Sequence, residues 1–243
     1  MKNNLNSIIV SVAVIIAALL IGGSYAKRGN ASDSISVTGL GEENFTSDLI
    51  VWKATFSTSG ADLKQASNDL RIKKEKIRKY LVNKGVNANE IVFNSVNIQK
   101  QFSNTYDNYG NIQSSYFSGY SLSQTIRVES KDVDKVENIS REITELINQD
   151  IELESLAPDY YYTKLAELKV KMIENATKDA KLRAEKIAEN AGTSLGKLKK
   201  ADMGVIQITA KNSAEDYSWG GSFNTSSKLK TATITIHLEY DVD

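Results

Sequence analysis

The side chains best suited to proton transfer, metal ligation or nucleophilic attack are scarce in this chain. It has one histidine, His237, and no cysteine in 243 residues. Thiol nucleophiles, thiolate metal sites and disulfides are therefore excluded, and a multi-histidine metal site cannot be built. A histidine-based triad needs a serine and a carboxylate brought to that single imidazole. No spacing places them there. His237 shares the side of its strand-like run with Thr231, Thr233, Thr235 and Glu239, and reads as a surface or interface residue. The segment Asp107-Asn108-Tyr109-Gly110-Asn111 resembles a calcium loop only superficially. With Gly110 as sixth position, the first and twelfth fall on Thr105 and Tyr116, neither an acid. Glu42-Glu43 has no partner set by spacing and reads as a solvated turn. The residues thus define no catalytic, metal-ligating or cofactor-binding set.

Aromatic residues in polar surroundings are the better candidates. Tyr106, Tyr109, Tyr116 and Phe117 fall in SNTYDNYGNIQSSYFSG, and Tyr217, Trp219 and Phe223 in KNSAEDYSWGGSFNTSSK. Both stretches are rich in turn formers and read as loops. Amphipathic aromatics on loops suit protein interfaces or sugar faces. The plain alternative is two loose loops with incidental aromatics.

Charge adds little. Thirty basic and thirty acidic side chains balance, so nothing draws the whole chain toward a polyanion, and no nucleic-acid partner is expected. The run Arg71 to Lys79 holds six bases and one acid, and Glu129 to Asp159 ten acids and three bases. At 100° per residue Arg71, Lys73, Lys76 and Lys79 point in widely different directions. The two segments read as solvated helix faces lying side by side with complementary charge, each exposed pair contributing ~0–1 kcal/mol.

Periodicity supplies the elements that must position these residues. Ser34 to Leu40 alternates as a short strand ending at Gly39 and Gly41. Leu49 to Ser59 puts Ile50, Trp52, Ala54 and Phe56 on one face. Asp62 to Lys84 is a helix with a Leu63, Ala66, Leu70, Ile77, Leu81 stripe, stopped by Gly85. Ile91 to Phe102 pairs with a return strand through Tyr120, Leu122, Ile126 and Val128. A helix over Asp132 to Gln149 and a short strand at Ile151 and Leu153 follow. Pro158 opens a helix of about 33 residues, Asp159 to Ala191, carrying Ala176, Ala180, Ala184, Ala188 and Ala191. Leu198 to Ala210 and Leu229 to Val242 are the last strands. The order ββαββαβαββ argues for an α+β fold with mainly antiparallel sheet.

Leu5 to Ala26 runs for twenty-two residues without a charge, as an export signal or membrane anchor does. Ser24-Tyr25-Ala26 offers a small-residue cleavage site. The length reaches a bilayer span, and Lys27 and Arg28 follow directly. Both readings stay open. Either way residues 1–26 stand outside the fold, 27–33 form a linker, and 34–243 form the folded part. Its halves are expected at 34–157 (ββαββαβ) and 158–243 (long helix plus hairpin). The folded part is expected in the periplasm or on the outer face of the inner membrane.

The opening ISVTGLGEE, the helix end LVNKGVNANEIVFNSVNIQ, Gly119-Tyr120, DVDKVENI and AEKIAENAGTSLGKL together resemble the SIMPL-domain family of bacterial periplasmic and envelope proteins, from about Ser34 to Val242. Two turns depart from its pattern. Thr46-Ser47-Asp48 lacks a proline, and the last interstrand loop is rich in Trp and Gly instead of Pro. The resemblance implies an α+β envelope protein that assembles into ring-like oligomers, without catalytic residues to transfer, in a family linked in part to stress tolerance. The expected function is non-enzymatic and self-assembling, with the Ala-bearing helix and the aromatic loops as contact surfaces. A module stacking glycan on Tyr109, Tyr116 or Trp219 is the alternative.

Overall fold

The computed structural model describes residues 11–12, 14–19, 34–214 and 218–242. Residues 11–12 and 14–19 are helical and exposed, and the rest of Leu5 to Ala26 lies outside the described residues. Among the described residues no helix is long and apolar enough to cross a membrane.

Alternating apolar residues build β1 (Ser34–Thr46) and β2 (Leu49–Gly60), and the Leu63–Asn83 stripe builds α1. Asp62 caps α1, its side chain accepting from the Gln65 amide, and Gly85 at φ +88° ends it. A 3₁₀ turn (Ala88–Glu90) leads into β3 (Ile91–Phe93), β4 (Asn97–Tyr106) and β5 (Ile112–Ser130). α2 (Val133–Glu142) continues as a 3₁₀ helix over Ile143–Gln149, so the expected second helix tightens in its last turns. β6 (Leu153–Ser155), β7 (Asp159–Tyr161), α3 (Leu165–Ala191), β8 (Leu195–Met203), β9 (Gln207–Ala210) and β10 (Leu229–Val242) complete the chain. The fold is mixed α and β: β10 pairs antiparallel with β8 and β9, and β2 and β5 pair antiparallel with each other and with their flanking strands.

Several expected elements differ. The long helix begins at Leu165 and has 27 residues, because Asp159–Tyr161 pairs with Leu49–Val51 of β2 as a strand. Tyrosines favour a pleated, half-buried surface, and Tyr160 is buried there with its hydroxyl on Glu137. The strand expected over Leu198 to Ala210 is two, β8 and β9, separated around Gly204, whose amide donates to the Thr235 carbonyl. β1 does not stop at Gly39 but runs through it to Thr46.

Contacts divide the chain into two units, neither a continuous stretch. One comprises residues 42–172 and 205–233, the other residues up to 41, 173–204 and 234–243. In the larger unit, β3, β5, β2 and β6 lie side by side, with β4 also on β5 and β7 also on β2. Trp52, Ala54, Phe56, Ile126 and Val128 pack with Ala66, Leu70, Ile77 and Leu81 of α1 and with Val136, Ile139, Ile143 and Leu146. The buried Trp52 indole is satisfied by Ser155 Oγ at 3.0 Å, which in turn donates to the Ser140 carbonyl.

In the smaller unit, the first part of β1 and β8 flank the second part of β10. Val37, Ile234, Ile236, Leu238 and Tyr240 are buried, as are Ala176, Ala180, Ala184 and Ala188. At Gly39 the strand meets α3 so closely that a Cβ would stand 2.2 Å from the Ala176 carbonyl oxygen. That is the packing use of a strand glycine.

Candidate functional site

Three of the seven aromatic candidates, Tyr106, Tyr116 and Phe117, lie on strands, and Tyr109 sits on the turn that joins them. β4 and β5 continue past the body of their sheet as a two-stranded ribbon, paired to Tyr106↔Ile112 with bulges at Gln101/Phe102 and Thr105/Tyr106. Its polar composition hid it, since Asn, Ser and Gly are turn formers by type. Cross-strand pairing places Phe102 opposite Phe117 and Tyr106 opposite Ile112, hence on one face. Phe102 and Phe117 pack edge to face with centroids 6.1 Å apart, and Phe117 and Tyr120 likewise at 5.1 Å. Ile98, across from the buried Leu122, starts this face. Gln99, Gln101, Ser103 and Thr105 alternate onto the other face with Tyr116, opposite Ser103. Phe102, Tyr106, Ile112, Tyr116 and Phe117 are all exposed.

The ribbon tip is built. The Asp107 carboxylate accepts from the Tyr109 and Asn111 amides at 2.9 Å each and from Asn111 Nδ2 at 3.3 Å. These bonds, led by the Asn111 amide, hold the Asp107 carboxyl below its usual range. Gly110 at φ +83° completes the turn, and Tyr109 projects from it, 89 % exposed.

In the second stretch Tyr217 lies outside the described residues. Its neighbour Trp219 is fully exposed, on a turn clamped by a residue the sequence reading missed. The buried Gln207 side chain donates to the Ser218 carbonyl at 2.8 Å and accepts from the Ser218 and Ser222 amides at 3.2 and 2.9 Å. Ile208 bonds on to Ser222 and Asn224, and Phe223, half out of solvent, stacks on Tyr161 at 6.4 Å. Gln207 stands between Ile206 and Ile208 in the sequence, the one local sign of a buried polar clamp.

The titratable groups form ion-pair anchors. Glu137 accepts from the Tyr160 hydroxyl at 3.0 Å, and pairs with Lys228 at 2.8 Å and Arg141 at 2.7 Å; Lys228 also reaches Asp134 at 2.6 Å. The Lys228 ammonium, first of the causes, holds the Glu137 carboxyl below its ordinary value. Burial, then Glu137, pushes the Tyr160 phenol up to about 12. At the C-terminal end of α1, Lys84 binds Glu142 and Glu145, and the Tyr80 hydroxyl donates to Glu145. The expected meeting of basic and acidic faces therefore occurs through Lys84, beyond the basic run. Within that run Lys74 and Arg78 lie over the Phe93 ring at 5.1 and 5.0 Å. A surface groove of about 300 Å³ lies among Lys76, Lys79, Tyr80, Asn83, Lys84 and Gln149.

His237 is exposed, between Ser36 Oγ at 2.9 Å from Nε2 and Thr38 Oγ1 at 3.2 Å from Nδ1. A threonine hydroxyl thus stands where a triad would hold a carboxylate, and the trio ties β1 to β10. Among the described residues no three His, Asp or Glu side chains group to hold a metal ion. The alanine stripe of α3 is not a free contact surface: Ala176 and Ala180 lie against Gly39, Ala184 and Ala188 are buried as well, and of the five only Ala191 is exposed. A family model described as "SIMPL: Protein of unknown function (DUF541)" matches residues 35–240, nearly the whole chain. No curated protein matches.

Proposed function

The chain belongs to the SIMPL family, and on that premise we propose that it is a non-enzymatic cell-envelope protein that assembles with copies of itself through the β4–β5 ribbon. The observation that carries this reading is the exposed aromatic face of Phe102, Tyr106, Ile112 and Phe117 on a ribbon with a built tip. Contiguous exposed apolar surface on an ordered element marks an interaction site. The uncharged stretch Leu5 to Ala26 supports an address outside the cytoplasm, in the periplasm or tethered at the outer face of the inner membrane. A link to stress tolerance is part of this proposal through the family alone. Native mass spectrometry of the full chain released from detergent tests it: oligomers at micromolar concentration are expected, and a strictly monomeric species overturns it.

Trp219 favours a second reading, a glycan-binding module. A fully exposed indole on a turn whose backbone is held by three bonds to Gln207 is presented for stacking on a sugar face. Calorimetry with cell-wall fragments should then show heat that Trp219→Ala abolishes. No heat from the unaltered chain removes this reading.

A further inference from the structure

We infer that the free edge of β4 is a strand-addition site for a second copy of this chain; the inference rests on the self-assembly reading and names its surface. β4 is hydrogen-bonded to β5 alone. Along Asn97–Tyr106 its outward backbone groups therefore have no strand partner among the described residues. Ten residues extend roughly 33 Å. Proteins ordinarily blunt such an edge with charges, proline or a covering element. This one has no proline and a single charge, Lys100, and residues 112–118 of β5 have neither. Unpaired amides and carbonyls on an extended, neutral strand recognise another extended strand.

Charge selects the copy. Residues 97–118 contain only two charged side chains, Lys100 near the base and Asp107 at the tip. Antiparallel pairing of two β4 edges about a two-fold axis at Ser103 sets Lys100 of each copy directly opposite Tyr106 of the other, on the same face, and keeps the two lysines and the two Asp107 carboxylates well apart. Each ammonium meets an aromatic ring and like charges meet nowhere, which is the self-complementarity an isologous contact requires. An axis perpendicular to the sheet also keeps both Phe102–Phe117 pairs on one side. The two aromatic faces then join into one surface.

Disulfide trapping tests this in the full chain in detergent, where the absence of native cysteine makes each introduced thiol unique. Ser103→Cys places two thiols on directly opposed residues, with Cα atoms ~4.5–5.5 Å apart, inside the span a disulfide bridges. Gln99→Cys leaves them about eight residues out of register, ~27 Å apart at ~3.4 Å per residue. Oxidation should convert most of the Ser103→Cys protein to a covalent dimer and leave Gln99→Cys uncrosslinked. Lys100→Glu, which sets a carboxylate in place of the ammonium against Tyr106, should lower the oligomer fraction in native mass spectra several-fold. Equal cross-linking at both positions, or none at either in a preparation that native mass spectrometry finds oligomeric, overturns the β4 edge and leaves self-assembly standing. A monomeric unaltered chain overturns both.

Discussion

Replacing Gly39 with alanine puts a methyl group where α3 already runs. Its Cβ would lie 2.2 Å from the Ala176 carbonyl oxygen, 2.5 Å from the Ala180 amide nitrogen and 2.7 Å from Ala180 Cβ. Comfortable contact needs about 3.5 Å, so strand and helix must separate by roughly 1 Å. Two of the three obstacles are backbone, so no rotamer relieves them. Overpacking of this kind costs about 1–3 kcal/mol. The retreat also stretches the bond from the Leu40 amide to Asp179 Oδ2, now 2.9 Å, adding about 1 kcal/mol when lost. The sum is about 2–4 kcal/mol, a fall in melting temperature on the order of 5–15 °C for a chain of this length. Thermal and urea unfolding followed by circular dichroism would measure it. Ser34→Ala, at the exposed start of the same strand, is the control and should stay within about 0.5 kcal/mol. Adding Ala180→Gly to Gly39→Ala removes one obstacle and leaves both backbone ones, so stability should not return. A Gly39→Ala protein melting within about 2 °C of the unaltered chain would refute the close approach.

Glu137→Gln keeps the bond to Tyr160 but not the charge facing Lys228, and should cost on the order of 1–3 kcal/mol in urea titrations at pH 7. The Glu137 carboxyl is held below its ordinary 4.5, so its stabilisation is complete above that value and lost as pH falls through the folded one. The gap between the two proteins should therefore close in acid, and a gap constant down to pH 3 would contradict the pairing. Gln207→Ala should free the Trp219 turn, seen as a lower fluorescence anisotropy of Trp219 in a Trp52→Phe background, with an unchanged anisotropy counting against the clamp. Asp107→Ala should speed amide exchange at Tyr109 and Asn111. In the unaltered chain the same protection should persist above the ordinary carboxyl range and fail as pH drops through the lowered Asp107 value. Exchange indifferent to both changes would mean the tip is held otherwise.

Elements whose signal is local were legible in the residues alone. The period-two face of Ile50, Trp52, Ala54 and Phe56 and the Leu70, Ile77, Leu81 stripe each became buried surface. Asp62 and Gly85 bound α1 as cap and stop. Each of these depends on neighbours within a few positions, which composition and spacing record directly. The interaction candidates were legible by type but not by shape. A strand exposed on both faces keeps little apolar alternation, so its Asn, Ser and Gly content reads as a loop until β5 pairs with it. Ile98, Phe102 and Tyr106 did recur at even spacing and were the trace of a face.

What spacing could not reach were relations between distant residues. Gln207 closes a turn eleven to fifteen residues away, and Lys228 meets Glu137 across 91 positions. Asp159–Tyr161 is a strand because β2 offers an edge, against a helical reading that local residues allowed. The alanines of α3 announce a close contact in any reading. Only the position of Gly39 decides that the contact lies within the unit and not between chains. Amphipathic period and capping chemistry are written in adjacent residues. Which surface is covered depends on where the chain returns in space, and that follows from pairing and packing together.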